Sequence, residues 1–569
     1  MSVIVCPHRP ACPGCDLAEL TPEGALVQKR DTVADAIGRH STAGPAATVS
    51  DCVGTEDRYG YRTRVKWAVD GAAIGLYTAD HDVVDTPLCA VTPAPLLALV
   101  EPLRHRPLAA ETDAQLGGVD ARLTERGEMS LVLIMRTVDR RAAETLARSL
   151  LALIPEPVGV AWSVRHPGSP SLLGDAPITV RGVTTLRDRI GRTEALFPAG
   201  SFSQVHRGQT AWLHDQLRAA VPPGSHVVDL YAGTGSLGLA VVSKAASLTL
   251  VEPFAPAADA ARQVAPPAVR VICGSAEVPD SWLGPRPRVL IVDPPRTGLT
   301  GDALSAIARA CPDRVILISC EPETLARDLA GLAWQGLRTS RVQPFDMMPG
   351  TSQVESFAVL DPGDPPPLQV LGRTSNAVAV AKPPWVPTIP NPEWPWNLLD
   401  LARRQLGGAL QAAHRLDVTT SGVVLLSPEG SRVLTAPGHP NGLEKCYLTL
   451  VRGVARKRGA WRMPLNEDGR NVHATTHYER LDVVGGHSLL RVTLETGRTH
   501  QIRRHAAMNG HPVLGDARYG DPKSNRHFFA RYGLQRPFLH AESLEVGTER
   551  YECELWPDLQ AVLDVLSSD

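Results

Sequence analysis

Two short strings in the sequence hold residues able to do covalent chemistry. Ile318-Ser319-Cys320-Glu321-Pro322 sets one thiol directly after an apolar run, and His414-Arg415-Leu416-Asp417-Val418-Thr419-Thr420-Ser421-Gly422 sets one carboxylate inside a polar loop. Thiols and carboxylates become nucleophiles once a neighbouring group activates them, so the chain reads as carrying two catalytic centres. A third string, Asp229-Leu230-Tyr231-Ala232-Gly233-Thr234-Gly235-Ser236-Leu237, ends an apolar run and opens a helical pattern. Its glycines admit a ligand close to the backbone, and the helix N–H groups point outward. Glu252 closes the next apolar run, where a carboxylate can accept ribose hydroxyls, so a nucleotide-type cofactor is expected. Asp293-Pro294-Pro295-Arg296-Thr297-Gly298 follows a further run, and its prolines stiffen a loop that would hold Asp293 over the same pocket. Cys320 reads either as a buried structural thiol or as a strand-end nucleophile, and the second role requires a lowered pKa.

The cysteines Cys6, Cys12 and Cys15 are spaced C-x5-C-x2-C, and Cys89 follows after a long gap. Four thiolates suit tetrahedral zinc or an iron–sulfur cluster, and spacing alone does not choose between them.

The elements that must position these residues fall into two textures. The apolar runs at 225–230, 248–252, 289–293 and 314–318 alternate with helical patterns, which predicts a parallel, doubly wound α/β sheet of Rossmann type. Downstream, alternating stretches such as Ser488-Leu489-Leu490-Arg491-Val492-Thr493-Leu494 predict a mixed, mainly antiparallel α+β domain. Asp361-Pro362-Gly363-Asp364-Pro365-Pro366-Pro367 suits neither a helix nor a central strand and marks a linker. The expected organisation is a cysteine-bearing region over 1–92, a central α/β region over 93–190, a cofactor-binding domain over 191–360, a linker over 361–370 and a C-terminal domain over 371–569.

At 569 residues the chain exceeds one core, and 43% apolar with 21% charged residues argues against global disorder. The start Met1-Ser2-Val3-Ile4-Val5-Cys6-Pro7 lacks a basic flank and apolar core, and no run reaches membrane-spanning length, so a cytoplasmic protein is expected. Ten cysteines are too sparse for a disulfide scaffold. Net charge is −2, with 34 Lys+Arg against 40 Asp+Glu up to residue 365 and 24 against 20 beyond it, so bulk charge does not announce a nucleic-acid binder. Arginine outnumbers lysine 51 to 7, which fits either phosphate recognition or a GC-rich genome.

Asp293-Pro294-Pro295-Arg296, Ser319-Cys320-x-Pro322 and Thr351-Ser352-Gln353-Val354-Glu355 resemble the motifs of the bacterial S-adenosylmethionine-dependent RNA uracil carbon-5 methyltransferases, over residues 1 to about 360. The resemblance implies that Cys320 adds to carbon 6 of the target uracil and that Glu355 removes the carbon-5 proton, with Asp293 bonded within the site. It also implies cofactor contacts from Gln204, Tyr231, Gly233, Gly235, Ser236, Glu252, Ser275 and Asp293, and a 4Fe-4S cluster on Cys6, Cys12, Cys15 and Cys89. Phe202 would stack on a base or sit in the core. The short, cluster-bearing architecture most resembles the 23S ribosomal RNA enzymes acting on uridine 747. His206, Glu321 and Gln353 depart from the usual pattern without removing a reacting group. The segment Tyr59-Gly60-Tyr61-Arg62-Thr63-Arg64-Val65-Lys66-Trp67 reads equally as an RNA-gripping surface or a structural strand.

From about residue 370, His414-Arg415-Leu416-Asp417-x-x-Thr420-Ser421-Gly422 resembles the signature of the RluA-type pseudouridine synthases, with Lys382-Pro383, Lys445-Cys446-Tyr447, the run from Thr496 to Arg503 and Gly515-Asp516 in matching order. Asp417 is then the carboxylate that promotes glycosidic cleavage, Tyr447 packs against the base and Arg503 pairs with Asp417. No metal or organic cofactor is implied. The segment around Asn525 resembles the tRNA branch, with some ribosomal RNA members similar, and Arg503-Arg504-His505 and Arg452 to Arg458 offer positive charge for phosphates. Overall the chain reads as a bifunctional RNA-modifying enzyme. The rival readings are an amino-group methyltransferase, and a protein in which one module only binds RNA. The oligomeric state is not encoded in any motif.

Overall fold

The computed structural model describes residues 3–40, 47–78, 80–105, 116–137, 139–156, 158–166, 173–174, 176–283, 289–374, 376–392, 394–429, 443–467 and 469–568. Among them no helix is long and apolar enough to cross a membrane.

A seven-stranded sheet occupies the N-terminal third, and only the Met129–Met135 and Gly159–Val164 strands run parallel in it. Its helices Ala94–Arg104 and Arg140–Leu150 bury Leu96, Leu99, Val100 and Leu103, and Ala143, Leu146, Ala147 and Leu150, at helical spacing against Trp67, Val119 and Leu133. The boundary expected at 92/93 falls inside this sheet, because the Arg64–Asp70 strand pairs with Leu116–Leu123 and Trp67 lies opposite Val119.

Residues 225–319 build the doubly wound part of a nine-stranded sheet. The Ser225–Leu230 strand lies at its centre, with Ala245–Glu252 and Arg270–Cys273 on one side and Val289–Val292 and Arg314–Ser319 on the other, all parallel. These strands are continuous apolar runs because helices cover both faces. Strands are added outward first on one side of Ser225–Leu230 and then on the other, and this switch makes the carboxyl edge there the ligand crevice of such a sheet. Glu355–Pro362 then returns antiparallel against Arg314–Ser319, with Ser319 opposite Ser356. This strand runs two residues into the stretch read as a linker, and Pro365 and Pro366 beyond it are buried.

The C-terminal part is a ten-stranded sheet, antiparallel except where Ser421–Pro428 meets Leu539–Val546. That parallel contact demands glycine at 422. Its φ is +121°, and a Cβ there would stand 2.2 Å from the carbonyl oxygen of Ala541. The strand contact fixes the end of the loop that carries Asp417.

Candidate active sites

The doubly wound sheet gathers its polar residues by topology. Tyr231, Glu252, Ser275, Asp293 and Cys320 each end or follow a parallel strand, so all five stand at one carboxyl edge. Glu355 joins them from the opposite chain direction, because the Ser319–Ser356 register sets it beside Cys320. Gln204 enters from the loop ahead of the Arg207–Ala220 helix, and its side chain bonds Asp293.

Burial sets the electrostatics of this trio. It raises Asp293 to about 7, against which the Gln204 bond works. It raises Glu355 well above the carboxylate range, and the neighbouring Asp293 raises it further. It pushes the Cys320 thiol up to about 12, with Glu355 and Asp293 adding to the shift. The lowered thiol pKa expected of a nucleophile is therefore absent. Arg296 is the opposing cation, but it is exposed and tied to Glu321 at 3.0 Å. Oε2 of Glu355 is buried with no hydrogen-bond partner, as is Oδ1 of Asp229, which lies on the central strand.

The loop after Asp229 fits a nucleotide-type cofactor. Gly233 and Gly235 adopt φ of +56° and +83°, and a Cβ on Gly233 would meet nothing within 4 Å, which leaves the approach to the backbone open. Glu252 accepts from the N–H groups of Gly233 and Phe254, both at 2.8 Å, so it organises the glycine turn and keeps a second lone pair on each oxygen. Ser236 Oγ lies 3.2 Å from His214 Nε2. Tyr231, with φ of +61°, donates to Glu277 at 3.1 Å, and Ser275 also donates to Glu277. Glu277 and His214 escaped the motif reading because their roles arise from contacts between distant segments.

Cys6, Cys12, Cys15 and Cys89 are free thiols. Burial raises Cys15 to about 12, with contributions from Cys89, Cys6 and Cys12, so the four share one neighbourhood. Among the described residues no group of three or more His, Cys, Asp or Glu is arranged to hold a metal ion.

The C-terminal site surrounds Asp417, which sits in the loop between the Leu410–Ala412 and Ser421–Pro428 strands, in a cavity of about 1320 Å³. Arg503, near the start of the Gln501–Met508 helix, donates through Nη1 to Asp417 at 3.1 Å. Its Nε and Nη2 clamp Asp516 at 2.7 and 2.8 Å. This fork orients the guanidinium, since Asp516 is fully buried and also accepts from the N–H groups of Arg518 and Tyr519. His500 Nε2 lies 3.7 Å from the other Asp417 oxygen, and Tyr519 holds His500 Nδ1 at 3.1 Å. Burial, with the Asp417 charge, raises the Tyr447 phenol, so this buried ring lines the cavity in its neutral form. Behind the loop, Lys382 donates to the carbonyls of Pro383, Val386 and Val418 at 2.8, 2.7 and 3.1 Å, which pins the residue following Asp417.

Two expectations change. Tyr61, Arg64, Val65 and Trp67 are buried, with Arg64 paired to Asp120 and Tyr61 stacked on His206 at 5.0 Å, so these residues of the 59–67 segment are structural. Arg503 and His505 turn inward and do not face phosphates, because each is consumed by buried partners. Phe202, by contrast, is 63% exposed and free to stack.

Residues 376–508 match the RNA pseudouridylate synthase family, and residues 287–362 match the tRNA (uracil-5-)-methyltransferase family. Both domains are thus present on one chain. An RNA methyltransferase of Halalkalibacterium halodurans, described as uncharacterized, is 31% identical over 381 residues, covering 63% of this chain and 82% of the relative. A second from the same organism is 28% identical over 382 residues, covering 62% and 82%. Among solved structures, the Pyrococcus abyssi tRNA (uracil-54, C5)-methyltransferase in complex with S-adenosyl-L-homocysteine aligns at 22% identity and a TM-score of 0.48, covering 62% of this chain and 86% of that one.

Proposed function

The chain belongs to the RNA methyltransferases, and from that premise we propose a bifunctional, cytoplasmic RNA-modifying enzyme that methylates uridine at carbon 5 and isomerises uridine to pseudouridine. The observation that carries the reading is the pair of separate constellations, Cys320 with Glu355 and Asp293, and Asp417 with Arg503 and Tyr447.

At the first site Cys320, once its thiol proton has passed to solvent, bonds through sulfur to carbon 6 of the uracil ring, which breaks the ring conjugation and leaves carbon 5 electron-rich. The glycine turn with Tyr231, Ser236, Glu252, Ser275 and Gln204 would hold S-adenosylmethionine, which would supply the methyl group that carbon 5 acquires. Glu355 then takes the carbon-5 proton, the ring double bond re-forms and the thiol leaves. The raised pKa values suit this sequence. Burial favours the protonated form of both carboxyls, and a cationic ligand entering the pocket favours their ionised form, which suits Glu355 to act as a base once the cofactor is bound.

At the second site Asp417 promotes cleavage of the glycosidic bond, and the freed base turns against Tyr447 and rejoins through carbon 5, which gives up its proton while nitrogen 1 gains one. Arg503, locked by Asp516, holds the Asp417 carboxylate in place.

The preferred RNA is 23S ribosomal RNA, on the strength of the sequence spacing of Cys6, Cys12, Cys15 and Cys89, whereas the matching family description names tRNA. The same thiols would carry a 4Fe-4S cluster, with zinc as the alternative. Iron, acid-labile sulfide and zinc contents of the purified protein separate these, the cluster requiring about four irons per chain. The function itself is tested by incubating the purified chain and S-adenosylmethionine with unmodified rRNA and tRNA transcripts and quantifying 5-methyluridine and pseudouridine. Appearance of neither nucleoside on either RNA would refute it. Appearance of one alone would favour the reading in which the other module only binds RNA.

A further inference from the structure

The cavity at Asp417 is not built by its own module alone. Thr300, Gly301 and Asp302, at the start of the Gly301–Ala310 helix of the methyltransferase module, form part of its wall. Their place is fixed from both sides. The Trp385 ring packs against Gly301, where an added Cβ would fall 2.1 Å from it. The Trp385 N–H donates to the carbonyl of Val418, the neighbour of Asp417, at 2.8 Å, and Gln335 donates to the Trp385 carbonyl at 3.2 Å. Gln535, which also lines the cavity, donates to the Thr297 carbonyl. Trp334 of the methyltransferase module is buried in the C-terminal core, and Trp394 from beyond the linker is buried in the methyltransferase core. Thr300 is tied to Glu277 at 3.2 Å, and Glu277 accepts from Tyr231 and Ser275. The wall is therefore an integral part of the first module rather than a passing touch.

The charges in the wall are uneven. Besides Arg503, which is held by Asp516 and Asp417, Arg415, Lys445, Arg498, Arg518 and Arg526 supply five cations, and two carboxylates line the same cavity. One is Asp417, engaged with Arg503. The other is Asp302, which is exposed and, among the described residues, makes no hydrogen bond or ion pair. Cations in an RNA site meet phosphates, whereas an unpaired carboxylate repels them. A carboxylate in such a wall is useful where it meets a base edge that donates, namely the amino groups of cytosine, adenine or guanine.

We propose that the pseudouridine synthase pocket is a composite site, in which Asp302 of the methyltransferase module accepts a hydrogen bond from the amino edge of a nucleotide flanking the target uridine. The first module thereby sets the sequence context in which the second acts. This rests on reading the Asp417 cavity as the pseudouridine synthase site.

The test uses the full-length protein and an unmodified rRNA transcript, with pseudouridine mapped at nucleotide resolution and its formation followed kinetically. Asp302→Ala is expected to raise KM for pseudouridine formation by about fivefold or more with kcat unchanged, and to flatten the flanking-base preference. Asp302→Asn, which keeps an acceptor oxygen, is expected to restore most of the preference. A second arm needs no protein variant. Inosine in place of a flanking guanine, or purine in place of adenine, removes the amino group and is expected to reproduce the same rise in KM with the wild-type chain. Unchanged KM and unchanged preference in both arms would overturn the proposal, as would a loss confined to kcat. Failure of the wild-type chain to form pseudouridine on any RNA, or pseudouridine that persists after Asp417→Ala, would instead overturn the underlying reading of the cavity.

Discussion

Asp516→Ala isolates the contribution of the clamp behind the C-terminal site. Asp516 is fully buried and binds Arg503 through two bonds of 2.7 and 2.8 Å, while Arg503 is 9% exposed. Removing the carboxylate leaves a buried guanidinium edge and the N–H groups of Arg518 and Tyr519 without acceptors. Breaking a buried pair from one side costs about 3–5 kcal/mol. In a module of roughly 200 residues that lowers the melting temperature by about 6–20 °C. Arg503 also loses the fork that aims Nη1 at Asp417, and misplacement on the order of 1 Å costs about a hundredfold in rate. Thermal unfolding by circular dichroism gives the first quantity, and single-turnover pseudouridine formation at 20 °C gives the second. A melting temperature within about 2 °C of wild type, with the rate within twofold, would refute the view that Asp516 orients the site.

Three further outcomes are expected. Alkylation of Cys320 by iodoacetamide in the free protein should still accelerate beyond pH 9, since burial with Glu355 and Asp293 holds the thiol near 12, and Glu355→Gln should raise the rate at pH 8; a plateau below pH 8 would contradict this. Asp293 ionises near 7 in the fold, against 3.8 for an ordinary aspartate, so the folded state keeps a proton that the unfolded chain sheds. Its favourable contribution is complete below pH 3.8 and lost as pH rises through 7, a difference of about 4 kcal/mol. Urea unfolding at pH 5.5 and 8 should accordingly show a smaller difference for Asp293→Asn than for wild type, and equal differences would exclude the assignment. Glu277→Ala, by releasing Tyr231, Ser275 and Thr300, should weaken S-adenosylmethionine binding about tenfold in calorimetry, and an unchanged Kd would dismiss Glu277 as an organiser of the cofactor site.

The parallel strands were legible because continuous apolar runs ending in Asp229, Glu252, Asp293 and Cys320 leave few alternatives to a doubly wound sheet with its polar residues at one edge. The Asp417 loop was legible because its motif is contiguous. What could not be read depends on contacts across long separations. Glu277 is defined by Tyr231 and Thr300, 46 and 23 residues away. The raised Cys320 pKa follows from burial of the thiol and then from two carboxyls beside it, one of them delivered by an antiparallel return strand. The Arg64–Trp67 stretch carried the cation and aromatic content of a binding surface, but Asp120 on a distant strand draws Arg64 into the core. The proline-rich stretch after Asp361 suggested independent modules, whereas Trp334, Trp385 and Trp394 lock them together through single large side chains that leave no periodic trace.

Two centres acting independently on uridine predict a clean separation in cells. RNA from a strain lacking the gene, complemented with wild type, Cys320→Ala or Asp417→Ala, is digested and its 5-methyluridine and pseudouridine mapped by mass spectrometry. Cys320→Ala is expected to lose a 5-methyluridine and keep the pseudouridine, and Asp417→Ala the reverse. Both nucleosides persisting at every position in the uncomplemented strain would contradict the account.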